Sequence, residues 1–182
     1  CGHLQNEFVV PPQERYIDTD YSYTASNSKL SCQHWDEYAQ EVTSHLKTKS
    51  GDLVIEFGAN DGYLLEQFRK NDVKVFGIEP SPYLARLAER RGVEVFNGFL
   101  GQAAIDTITS KQGKAKIICG NNVFNHIEQL NDVVPAIRSG LRDDGFFVFE
   151  SPYALDVIEK FYFDTIYHEH LSYFSVKSTD RL

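Results

Sequence analysis

The stretch Leu53-Val54-Ile55-Glu56-Phe57-Gly58-Ala59-Asn60-Asp61-Gly62 constrains the fold more than any other part of this chain. An apolar run, two glycines and then an apolar helical pattern read as a buried strand, a tight loop and a helix N-terminus. Leu53, Val54, Ile55 and Phe57 suit a central parallel strand covered on both faces. Gly58 and Gly62 let the backbone turn sharply and expose main-chain atoms to a ligand. Leu64, Leu65 and Phe68 follow at helical spacing. Turns of this kind are where open α/β sheets bind nucleotides.

The alternation continues along the chain. Apolar runs predict strands near 53–57, 74–79, 93–97, 115–119 and 145–150, and helical patterns fall near 61–71, 82–91, 101–110 and 130–141. That order implies an α/β, doubly wound, mostly parallel sheet with right-handed crossovers. Trp35, Tyr38, Ala39, Val42 and Leu46 recur at spacings of three and four and predict a helix over about 33–47 that leads into the sheet. Residues 1–31, rich in Tyr, Ser, Thr, Asn and Pro, read as an irregular N-terminal extension, which leaves 32–182 as the core.

Composition narrows the partners. The 182 residues, 42% of them hydrophobic, suffice for one packed α/β domain. A formal charge of −8 opposes nucleic-acid binding, and no cluster of Lys and Arg interleaved with aromatics relieves it. Arg86, Arg90 and Arg91 read as the solvated face of an amphipathic helix. No apolar run approaches the roughly 20 residues of a membrane span, and no signal-peptide pattern opens the chain, so a cytoplasmic protein without membrane partners is expected. Cys1, Cys32 and Cys119 are too few for a disulfide framework or a complete zinc site, and Cys119 reads as a small core residue. The chain has no Met, which suggests a processed or excised piece of a longer protein.

The loop chemistry selects among cofactors. A pyrophosphate fingerprint places two glycines close together at the helix N-terminus, whereas here Asn60 and Asp61 occupy the loop. An acidic side chain repels a diphosphate but accepts hydrogen bonds from an ammonium group or from ribose hydroxyls. The next strand, Val73 to Glu79, ends in a second acid before Pro80-Ser81-Pro82 starts another helix, with Pro82 suited to its first turn. The pattern Glu56-x-Gly58-x-x-Asp61-Gly62 resembles the first motif of class I S-adenosylmethionine-dependent methyltransferases. That resemblance implies a Rossmann-like core with S-adenosyl-L-methionine as cofactor. It implies contacts at Glu56, Gly58, Asn60, Asp61, Gly62, Glu79, Pro80 and Ser81, joined by Phe99 and Asn121 after the third and fourth strands. Ordinary turn chemistry accounts equally well for the loops that carry Phe99 and Asn121.

The reaction is suggested further along. His168 and His170 flank Glu169 within an aromatic-rich run. An imidazole held by an acid in an apolar cleft is a good general base near neutral pH. On a strand His168 and His170 would share a face without Glu169, and no third ligand stands out, so no metal is expected. This run, Asn122-Val123-Phe124-Asn125-His126-Ile127, Tyr21-Ser22-Tyr23-Thr24-Ala25-Ser26 and Cys1-Gly2-His3-Leu4-Gln5-Asn6 together resemble the nucleotide-sugar C-methyltransferase family.

That resemblance implies a small-molecule substrate, a nucleoside-diphosphate 4-keto-6-deoxyhexose methylated at a carbon next to its ketone. It implies His170 as base, Glu169 and His126 assisting, and Tyr21 or Tyr23 contacting the sugar or its enolate. It also makes Cys1 a remnant ligand of that family's zinc-binding domain. Family members carry a complete zinc site before this region, a closing strand pair and a further α/β domain after it; this chain stops at Leu182. From the residues alone, His126 also reads as a capping or core histidine, and the tyrosines read at least as well as packing of an arm. An O- or N-methyltransferase, and a cofactor-binding module without turnover, remain alternatives.

Overall fold

Side-chain alternation builds the centre of the molecule. The computed structural model describes residues 2–19 and 21–182; Cys1 lies outside the described residues. In chain order the elements are β1 (Leu4–Gln5), α1 (Pro12–Tyr16), α2 (Lys29–His45), β2 (Leu53–Phe57), α3 (Tyr63–Arg69), β3 (Lys74–Glu79), α4 (Pro82–Arg90) and β4 (Glu94–Asn97). They continue as α5 (Gln102–Gln112), β5 (Ala115–Cys119), α6 (Leu130–Gly140), β6 (Leu141–Val148), α7 (Ala154–Glu159), β7 (Ser172–Tyr173) and α8 (Val176–Thr179). Short 3-10 turns cover Phe124–His126 and Phe163–Thr165.

Five strands pair in parallel in the order β4-β3-β2-β5-β6. The order reverses between β2 and β5, the place where the strand ends of such a sheet splay and leave a crevice. Both faces of β2 and β5 are buried. Leu53, Ile55, Phe57 and Ile118 pack with Ile105, Ile108, Ala136 and Ile137 of α5 and α6. Val54, Ile117 and Cys119 pack on the other face with Ala39, Leu64, Leu65, Phe68 and Ala88 of α2, α3 and α4. The period of two along each strand thus decides which helix layer each side chain meets.

Three expectations need correction. The N-terminal region is not wholly irregular: α1 forms behind Pro11 and Pro12, β1 pairs antiparallel with β7, and α2 starts at Lys29 because Ser28 caps it through the Ser31 N–H. The fifth strand begins at Leu141 rather than 145 and ends before Glu150. Arg142-Asp143-Asp144-Gly145 has turn composition, yet it enters the sheet through a register shift between the Ala115–Leu141 and Ile117–Phe146 pairs. Lys116 Nζ pairs with the Asp144 carboxylate at 3.2 Å and Arg142 with Asp52 at 2.6 Å, which partners two of the three charges that enter with it; Asp143 stays exposed. Finally, 168–170 form a turn and not a strand, so the alternating-face argument against Glu169 does not apply there.

An aromatic layer caps the carboxyl ends of β5 and β6. Phe124 stacks on Phe174 at 5.0 Å and meets Phe147 and Phe149 at 5.0 Å each. The Leu171 N–H donates to the Asn125 carbonyl at 2.9 Å. These contacts fix the chain from His170 to Phe174 against the loop after β5. Among the described residues no helix is long and apolar enough to cross a membrane.

Candidate active site

The crevice at the strand reversal holds a cavity of about 410 Å³, within the range of small-molecule sites. Gly58, Asn60, Glu79, Pro80 and Phe99 line it from the ends of β2, β3 and β4, and Asn122, Val123 and His126 from the loop after β5. Tyr16 and Tyr21 of the N-terminal arm close it. Gly58 has φ +64°, and a Cβ there would lie 2.3 Å from Val123 Cγ2. The glycine therefore serves the approach of the β2 and β5 loops first. Gly62 does not reach the cavity; it has φ +74°, and a Cβ would meet that of Ala88 at 2.8 Å, so it serves α3–α4 packing.

The acids separate. Glu79 is buried and accepts from the Asn60 and Ser81 N–H groups, both at 2.9 Å. Burial raises its pKa to about 7 against the pull of those two donors. Glu56 is buried on the α2 face of the sheet, as its alternation with Phe57 requires, and is absent from the cavity lining. Its Oε2 has no hydrogen-bond partner among the described residues. Burial, then the charges of Asp61 and Glu79, push its pKa well above the usual carboxylate range.

Asp61 is not available to a ligand as expected. Its Oδ2 accepts from the Ser26 hydroxyl and from Arg91 at 3.2 Å, and it is 2% exposed. Arg91 also reaches Glu66 at 3.1 Å, so it is an internal partner rather than part of a solvated face. Asn60 Oδ1 accepts from the Ala25 N–H at 2.8 Å, and Nδ2 donates to the Tyr23 carbonyl at 2.9 Å. The loop read as a ligand cradle thus also clasps the arm.

Other expectations shift by a residue or a role. Asn121 is not in the lining: its Oδ1 accepts from the Tyr38 hydroxyl at 3.0 Å and the Glu150 N–H at 2.9 Å, while Asn122 lines the cavity instead. Ser81 caps α4 through the Leu84 N–H and lines a separate recess. Tyr23 is 57% exposed and lines a shallow recess with Arg15, His168 and Glu169.

The two imidazoles differ. His126 lines the cavity, its Nδ1 lies 2.9 Å from the Tyr16 hydroxyl, and its Nε2 is buried without a partner among the described residues. Burial, helped by the neighbouring His170 and Arg15 charges, lowers its pKa to about 3, so it is neutral. His170 sits behind it, ring centroids 5.1 Å apart, buried and outside the cavity lining. Its Nδ1 contacts the Thr165 carbonyl at 2.7 Å and its Nε2 the Tyr167 hydroxyl at 2.8 Å. Burial lowers its pKa as well. Glu169 offers its backbone carbonyl to Arg15 at 3.5 Å, and its carboxylate lies 3.9 Å from His168 Nε2. Among the described residues no three His, Cys, Asp or Glu side chains converge on a metal-sized centre.

Sequence reading missed Tyr16, Pro12, Gln13 and Ser26. Tyr16 lies 110 positions from His126, and no periodic or spacing signal in a five-residue helix could have joined them.

The sheet order, the helices on both faces and the cavity at the reversal define the fold of class I S-adenosylmethionine-dependent methyltransferases. Solved structures agree on the fold. An S-adenosylmethionine-dependent methyltransferase from Archaeoglobus fulgidus superposes with a TM-score of 0.62 at 13% identity, covering 82% of this chain and 66% of that one. One from Thiobacillus denitrificans in complex with S-adenosyl-L-homocysteine gives 0.53 at 14% identity, with 80% and 57% covered. A sequence profile described as Methyltransferase domain matches residues 29–182, and the chain belongs to that family. It is also 36% identical over 179 residues to the C-methyltransferase NovU of Streptomyces niveus, covering 98% of this chain and 42% of that protein. The chain thus spans less than half the length of this relative.

Proposed function

We propose that this chain binds S-adenosylmethionine and methylates a carbon atom of a small molecule, a nucleoside-diphosphate 4-keto-deoxysugar, through a base-generated enolate. The observation that carries the reading is a neutral imidazole, His126, in the wall of the strand-end cavity with a second, His170, directly behind it. The identity to a C-methyltransferase along nearly the whole chain supports carbon as the acceptor.

The residues present suit the donor. Glu79 stands at the tip of β3, where a carboxylate takes hydrogen bonds from ribose hydroxyls. Asn60, which follows Gly58 in the same loop, presents its backbone to the cavity beside Glu79. Phe99 and Leu100 supply apolar walls. Bound there, the donor supplies a methyl group on a positively charged sulfur.

The chain's own groups handle the acceptor. A carbon next to a ketone must lose its proton before it can form a bond, which needs a base and a group to hold the enolate oxygen. His170 is neutral and keeps one lone pair; because it lies outside the cavity lining, it takes the proton only once the Tyr167 hydroxyl turns aside and the 167–170 turn shifts toward the cavity; Glu169 lies beside it. His126 and Tyr21 face the cavity, where the oxygen would sit. The apolar layer around Phe124 and Phe174 excludes water from this exchange.

Solvent-deuterium exchange tests this directly. The chain with S-adenosylhomocysteine and a nucleoside-diphosphate 4-keto-6-deoxyhexose should exchange the proton next to the ketone, and with S-adenosylmethionine it should form a carbon–methyl bond. Methylation of a hydroxyl or amine without exchange would favour an O- or N-methyltransferase. Donor binding with neither event would leave a binding module.

A further inference from the structure

The hydrogen-bond partners of the two imidazoles assign their protons. A carbonyl oxygen only accepts, so His170 carries its proton on Nδ1, facing Thr165, and its Nε2 accepts from the Tyr167 hydroxyl. His126 has the opposite arrangement. Its Nδ1 meets the Tyr16 hydroxyl, and among the described residues that hydroxyl has no other acceptor. Burial raises the Tyr16 pKa and keeps the phenol protonated. The phenol therefore donates to Nδ1, which leaves the His126 proton on Nε2. That N–H is buried and, among the described residues, has no acceptor. A buried donor without a partner is costly and uncommon, and it calls for an oxygen that arrives with a ligand.

We propose that Tyr16 is a positioning residue that holds His126 as the Nε2–H tautomer, so that His126 hydrogen-bonds the acceptor's ketone oxygen while His170 Nε2 takes the carbon-bound proton. The inference rests on the proposed carbon methylation. The electrons balance as follows. The C–H bond breaks and its proton passes to His170 Nε2; the C–H pair becomes the carbon–carbon double bond of the enolate and displaces the C=O π pair onto oxygen, where the His126 N–H receives the developing charge. The double-bond pair then forms the carbon–methyl bond as the oxygen pair re-forms the ketone, and the pair of the broken methyl–sulfur bond stays on sulfur.

Two neighbours support the assignment. Arg15, adjacent to Tyr16 on α1, is buried; its guanidinium lies 5.3 Å from the Tyr16 ring and opposes a second proton on His126. Tyr21 meets the Tyr16 ring edge-on at 5.1 Å and holds its plane. A histidine's tautomer is set by the partner of its other nitrogen, so a single phenol decides whether His126 donates or accepts at Nε2.

Nitrogen-15 NMR of imidazole-labelled full chain with S-adenosylhomocysteine tests this without turnover. The expected spectrum has protonated Nε2 at His126 and protonated Nδ1 at His170, with His126→Asn providing the assignment. Tyr16→Phe keeps the ring and should give His126 a mixture of tautomers. It should lower kcat several-fold, in proportion to the fraction of His126 that no longer carries its proton on Nε2, with S-adenosylhomocysteine affinity within twofold of wild type. A wild-type His126 protonated on Nδ1 would overturn the proposal without any variant. So would a Tyr16→Phe chain with unchanged tautomer and kcat. Correct tautomers in a chain that methylates no ketone would defeat the proposed reaction and leave Tyr16's hold on His126 standing.

Discussion

The two halves of the cavity are built in different ways. The β2–β3 half is assembled from residues close in sequence: Gly58, Asn60 and Glu79 come from one strand-loop-helix-strand unit, and Glu79 is held by two backbone N–H groups. The imidazole half is assembled across the chain. Tyr16 reaches His126, Arg15 reaches Glu169, and Leu171 reaches Asn125. A local unit can hold a ligand wherever it folds, whereas the second half exists only when arm, β5 loop and C-terminal segment are all docked. Binding and chemistry should therefore fail separately.

The largest expected effect is on chemistry. His170→Asn should lower the methyl-transfer rate by about 10²- to 10⁴-fold while S-adenosylhomocysteine affinity stays within twofold, read by single-turnover transfer and calorimetry. Equal loss of both would erase the distinction between the halves. Phe124→Ala removes the ring at the centre of the aromatic layer and should cost about 3–5 kcal/mol in urea unfolding. Hydrogen exchange should rise first in 170–174, because that segment leans on Phe124.

The next prediction belongs to the local half. Glu79 has a folded-state pKa of about 7 against an ordinary 4.5, so the folded chain binds more protons than the unfolded one between those values. Stability from this group is fully present below pH 4.5 and is lost as pH rises through 7, by about 3 kcal/mol. Glu79→Gln should flatten that slope in unfolding measured from pH 4 to 8. The smallest effect concerns the clasp between the halves. Asn60→Gly tolerates the positive φ of 54° and removes the side-chain bonds to Tyr23 and Ala25. It should cost about 1–2 kcal/mol and speed proteolysis in 21–26.

The same contrast explains what could be read from sequence. The strands at 53–57, 74–79 and 115–119 agree with the structure residue for residue, because a central parallel strand is covered on both faces and leaves a short, mostly apolar run. The donor-side loop was legible because glycine and acid lie within a few positions of each other. Its details were not: Asp61 carries the right chemistry, but it is occupied by Ser26 and Arg91, and nothing in a helix pattern marks Arg91 as a partner. Asn121 and Asn122 are adjacent and chemically identical, so only backbone direction, with φ +53° at Asn122, decides which faces the cavity. His126 and His170 were singled out by the family resemblance of their motifs, yet their burial, order and partners depend on docking that no local spacing encodes. The register shift in β6 hid four residues of strand behind charges that Lys116 and Asp52 neutralise only in the fold.

The central claim, a methyl-donor site at the tips of β2 and β3 that does not depend on the imidazoles, is most directly tested by calorimetric titration with S-adenosylhomocysteine. Saturable one-to-one binding is expected for wild type and for His170→Asn, with affinity at pH 8, above the Glu79 pKa of about 7, reduced about tenfold or more in Glu79→Gln, which there replaces an ionised acceptor. No heat from wild type, heat only from a nicotinamide dinucleotide, or an affinity indifferent to Glu79→Gln would contradict it.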